Sequence, residues 1–146
     1  MKKMIITDCI AWTLILFLFH IAVTKISHPA ATRFEIGLTP QFAPYASSLT
    51  WILSVAEIII ALLLMFKRFR MIGFWALMFL STLYTVLMLT ITQDMPHFRG
   101  GFLHQLSFNN HLGINITIFL LSLIGALITL RLKQKQSLNS YTPIPG

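Results

Sequence analysis

Charge is scarce in this chain of 146 residues: eleven Lys+Arg and four Asp+Glu make up 10% of it. Soluble domains carry about a quarter. With so few solvated side chains and 56% apolar residues, one small core could not hide the apolar surface from water. The shortage therefore excludes an ordinary soluble enzyme and makes lipid the expected solvent. Cysteine is nearly absent as well. The single Cys9 excludes an internal disulfide, and at the start of an apolar run it reads as a small buried residue. There is no Walker motif, dinucleotide fingerprint or Ser-His-Asp signature, which leaves no familiar soluble chemistry to assign.

What is present is apolar and organised. A bilayer crossing takes roughly 20 residues of helix, and four stretches qualify, at about 9–24, 49–66, 72–92 and 111–130. They predict an all-α integral membrane four-helix bundle spanning 1–132, with an outer loop at 25–48. The polar remainder, 133–146, is expected to be a flexible cytoplasmic tail. The first stretch resembles a secretory signal, but Ala22-Val23-Thr24-Lys25 is a poor cleavage site and His20 interrupts the run. An uncleaved first helix is expected.

Basic residues set the orientation. Lys2, Lys3, Lys67, Arg68, Arg70, Arg131, Lys133 and Lys135 fall on one side, and only Lys25, Arg33 and Arg99 on the other. Eight against three places both termini in the cytoplasm, in a multi-pass membrane protein. The same clusters account for the net charge of +7 through topology and lipid contact, without nucleic acid. In the outer loop Pro29, Pro40 and Pro44 rule out a further span and fit a short interfacial helix or cap. Tyr45 and Trp51 lie where an outer aromatic belt would be. The apolar stretch from Phe74 to Phe79 is available to lipid or a partner.

Charged and polar residues inside apolar spans are costly and therefore informative. Glu57 lies eight residues past Leu49, about 12 Å deep at 1.5 Å per residue. Tyr84 reaches a similar depth in the third span, His111 and Asn115 share a face of the fourth, and His20 sits in the outer part of the first. Together they predict one outward-facing polar pocket. As a functional site it would carry protons or hold a substrate, with Glu57 buried away from any cation and so held in its protonated form. As glue it would fix helix register. The last outer loop adds Asp94, His97, Arg99 and His104. His97, His104 and His111 recur at intervals of seven, a spacing that matches no strong metal motif, so no metal is assigned. Arg99 beside Gly100-Gly101 is a candidate anion contact.

Trp51-Ile-Leu-Ser-Val-Ala-Glu57, Tyr84, and the segment Gly100-Gly101-Phe-Leu-His-Gln-Leu-Ser-Phe-Asn-Asn-His111-Leu-Gly-Ile-Asn115 together resemble the MauE/DoxX superfamily of small four-span membrane proteins. The resemblance is closest to a MauE-like branch common in Bacteroidetes and runs from the first helix to Arg131. It implies a four-helix scaffold and an association with periplasmic redox or disulfide maturation, with a quinone as the implied cofactor. Many members carry Cys-x-Cys immediately before the Gly-Gly pair. Here those positions hold His97 and Arg99, so the thiolates that disulfide exchange requires are missing. The leading expectation is thus a non-catalytic accessory subunit of a membrane complex, partnered by another membrane protein. A redox-associated protein acting with external thiols or quinone is the first alternative. A small lipid-binding or transport component is the second.

Overall fold

The computed structural model describes residues 2–37, 40–94 and 108–140, and every regular element in them is helical. Helix α1 spans Lys2–Ser27, α2 Pro29–Gly37, α3 Ala46–Met65, α4 Arg70–Asp94 and α5 Phe108–Ser140, with a single 3₁₀ turn at Ala43–Tyr45. Four of these (α1, α3, α4 and α5) are long and apolar enough to cross a membrane. They pack as a closed ring, α1 on α3, α3 on α4, α4 on α5 and α5 back on α1, while α2 lies against α3 and α1.

The ring follows from a buried stripe on each helix with alternating steps of about four and three residues. In α1 it is Thr7, Ala11, Leu14, Leu18, Ala22 and Lys25; in α3 Ala46, Thr50, Leu53, Glu57, Ile60 and Leu64. Helix α4 buries Arg70, Phe74, Leu77, Ser81 and Tyr84, and α5 buries Ile118, Ser122, Ala126 and Thr129. That spacing keeps one seam facing its neighbours in a bundle of nearly aligned helices. Leu14, Leu64, Phe74 and Leu77 are buried as in a soluble core, but the outer face differs from one. Large apolar side chains such as Leu16, Phe19, Ile52, Phe79 and Leu120 are exposed, while hydroxyls and small residues lie inside, as lipid-solvated helices pack.

Four of the buried hydroxyls are satisfied within their own helices. Thr50 donates to the Ala46 carbonyl at 2.8 Å, Ser54 to Thr50 at 2.9 Å, Ser122 to Ile118 at 2.7 Å and Thr129 to Gly125 at 2.7 Å. Each bond reaches back four residues, so no neighbour or water is required where water is excluded. Close approach between α4 and α5 depends on Gly125: a Cβ there would lie 2.5 Å from the Phe74 ring. Phe74 is fully buried, so it belongs to the core and not to a face offered to lipid or a partner; Trp75 and Phe79 alone keep that exposure.

Two boundaries differ from the hydropathy expectation in ways that matter. Helix α1 continues through Lys25 to Ser27, and the His28 amide still bonds the Thr24 carbonyl at 3.0 Å. Pro29, without a donor of its own, then starts α2 after a break of one residue. Lys25 is accordingly part of the first span and not of the loop. At the other end of α1, Cys9 is exposed, not buried, because the stripe passes through Thr7 and Ala11 and leaves position 9 on the far face.

Candidate functional site

Three helices converge on one buried polar cluster. Lys25 is three residues beyond Ala22 on the α1 stripe, Glu57 lies between Leu53 and Ile60 on α3, and Tyr84 follows Ser81 on α4. The packing of each helix therefore aims all three side chains inward at one level. The Lys25 ammonium donates both to Glu57 Oε1 and to the Tyr84 hydroxyl oxygen. The Tyr84 hydroxyl in turn donates to the same Glu57 oxygen at 2.7 Å. The ammonium also stands 4.5 Å from the Tyr84 ring centroid, within cation–π range. These bonds link α1 to α4 across the ring as well as α1 to α3.

The pair is sealed. The Lys25 and Glu57 side chains are 1% and 0% exposed. A lone charge at such a site would cost several kcal/mol; an opposite charge in hydrogen-bond contact offsets much of that cost. Lys25 suits the task because its flexible stem packs against apolar neighbours while its compact head reaches the carboxylate. The second carboxylate oxygen, Glu57 Oε2, is buried with no hydrogen-bond partner among the described residues. The cluster therefore holds one accepting atom in reserve.

The opposite end of the bundle has its own ion pair. Arg70, at the start of α4, bonds Asp8 of α1 and caps the Leu64 carbonyl at the end of α3 at 3.1 Å. Here the side chains are 10% and 35% exposed. This pair ties α1 to the tight turn between α3 and α4.

Of the polar residues expected to share one pocket, Glu57 and Tyr84 do meet. His20 does not join them; its side chain is exposed, because it falls on the face of α1 away from Leu18 and Ala22. Asn115 is half-buried in α5, and no described hydrogen bond joins it to Glu57. His111 and Asp94 are placed in α5 and α4, but their side chains lie outside the described residues, as do His97, Arg99 and His104 altogether. Among the described residues, no three of His, Cys, Asp and Glu come together to hold a metal.

Lys25 is the residue that hydropathy missed. Counting it as an outer-loop charge left Glu57 with no cation, and so favoured the protonated acid. The structure instead sets the Lys25 ammonium against Glu57 Oε1, so the carboxyl is not isolated. The signal was available: Leu14, Leu18, Ala22 and Lys25 continue one stripe in steps of four, four and three.

A four-span helical bundle clasped internally by a lysine, a glutamate and a tyrosine defines the class: a small polytopic membrane protein. The family model of Methylamine utilisation protein MauE matches residues 3–129, and the chain belongs to the MauE family. Neither a curated protein nor a solved structure matches it significantly.

Proposed function

We propose that this protein is a non-catalytic accessory subunit of a bacterial inner-membrane complex, oriented with both termini in the cytoplasm. The observation that carries the reading is the set of hydrogen bonds joining Lys25, Glu57 and Tyr84 across three helices. The buried ammonium and carboxylate face one another, as a lock on helix register would have them. The exposed apolar faces of the spanning helices then serve lipid and partner. The orientation is supported by the same finding. Once Lys25 belongs to a span, the outer side keeps only Arg33 and Arg99 against eight basic residues on the inner side. The family name attaches the chain to methylamine utilisation, and support for the maturation of an envelope partner in such a system is the accessory role we favour.

Purification from the native membrane in mild detergent, followed by mass spectrometry of proteins and small lipophiles together, tests this. The expected result is a second membrane protein in fixed ratio. A folded chain that isolates alone would refute the reading.

One observation favours a second reading. Glu57 Oε2 is a buried acceptor without a described donor, and buried polar atoms are seldom left so. A quinol hydroxyl is a donor of the right kind, which would make the cluster the binding end of a redox-associated protein. Quinone retained by the wild-type protein and lost with Glu57→Gln would support it.

A further inference from the structure

The end of the bundle that holds Asp8 and Arg70 opens into a cavity of about 290 Å³. Its lining comes from three places in the chain: Thr7 and Asp8 near the start of α1, Lys67 and Arg70 around the α3–α4 turn, and Thr129, Lys133 and Lys135 toward the end of α5. Four of these residues are basic and one is acidic. Asp8 already answers Arg70, so among the described residues the three lysines give the cavity a net positive charge. Thr7, Arg70 and Thr129 are buried, the three lysines are exposed, and Met4 and Leu132 add an apolar part to the lining.

The position of the cavity says which anion it suits. The apolar spans end at Met4, Met65, Arg70 and Lys135, which is the level of the lining. A membrane matched to these spans puts its headgroup phosphates there. Met4 lines the cavity, and Ile5, Phe66 and Phe69 are each next in sequence to a lining residue; all four are exposed apolar side chains, suited to acyl chains and not to a free ion. The volume is roughly ten times the 30 Å³ that a water occupies in the liquid, ample for a phosphate group. We propose that this cavity binds the phosphate headgroup of an anionic phospholipid, held by Lys67, Lys133 and Lys135 over the Asp8–Arg70 pair. This site is separate from the Lys25–Glu57–Tyr84 cluster and stands independently of the role given to it.

The test uses the full chain, purified in zwitterionic detergent and titrated with phosphatidylglycerol, reading bound lipid by native mass spectrometry and thermal stability in parallel. Two double variants remove equal charge from the same end: Lys67→Gln with Lys133→Gln inside the cavity, and Arg68→Gln with Arg131→Gln outside it. All four side chains are exposed, so both variants are expected to fold. Both variants should lose the general attraction of basic residues for anionic lipid, about fivefold per residue, and the cavity pair should lose roughly a further tenfold through its missing charged hydrogen bonds to the phosphate. Equal loss in both, or loss in neither, would overturn the site. A parallel titration with inorganic phosphate separates the sources. Stabilisation by the lipid alone assigns a headgroup site, and equal stabilisation by inorganic phosphate would overturn the lipid assignment.

Discussion

Among the described residues, the two ends of this bundle each carry one ion pair, and the pairs are built differently. Lys25–Glu57 is sealed, with both side chains at 1% exposure or less, and it shares its bonds with Tyr84. Asp8–Arg70 is open on the acid side, where the Asp8 side chain is 35% exposed, and its arginine also caps a helix carbonyl. Burial decides what such a pair is worth. Removing one member of a sealed pair strands the other in a medium that cannot solvate it, whereas water and ions answer for an open one. On the reading proposed above, the sealed end holds helix register and the open end is free to meet headgroups.

Single substitutions at the sealed end should produce the largest effects. Glu57→Leu or Lys25→Met is expected to cost about 3–5 kcal/mol, seen as a steep fall in thermal stability in detergent and poor recovery from the membrane. Survival of either variant with near wild-type stability would erase the contrast between the ends. Next comes the packed layer that separates them. Gly125→Ala pushes a Cβ toward the buried Phe74 ring, 2.5 Å away, and overpacking of this kind costs about 1–3 kcal/mol; a companion Phe74→Leu should recover part of it. Tyr84→Phe removes one hydroxyl from the sealed circuit while keeping its ring, for a loss of about 1 kcal/mol by the same assay. Asp8→Asn should matter least, below about 1 kcal/mol. If Asp8→Asn cost more than Tyr84→Phe, the open end would prove to be the structural one.

Much of this architecture was legible in the sequence, and the parts that were not share a cause. The four spanning helices follow from apolar length alone, and Glu57 stood out because a carboxylate within such a run is expensive. Tyr84 followed from matching its depth to that of Glu57. Lys25 escaped because average hydropathy ends a span at the first charge, while packing continues along the stripe through Ala22 for another turn. His20 and Cys9 were misplaced for a related reason: membership of a span says nothing about which face of it a residue occupies, and the four-three stripe does. Phe74 was read with its exposed neighbours Trp75 and Phe79, although only a smooth surface such as Gly125 on a facing helix gives it a seat. The fourth-helix partners expected for Glu57 were inferred from depth on separate helices, and depth does not fix azimuth.

The most direct test of the central claim is a double-mutant cycle at the sealed pair. Wild type, Lys25→Met, Glu57→Leu and the double variant are compared for thermal stability and for the membrane partner they retain. A structural lock predicts that the double variant recovers most of the stability lost by either single change and keeps its partner in the same ratio. A double variant that folds as well as wild type but loses its partner, or loses a bound lipophile that the wild type carries, would contradict it and make the cluster a working site.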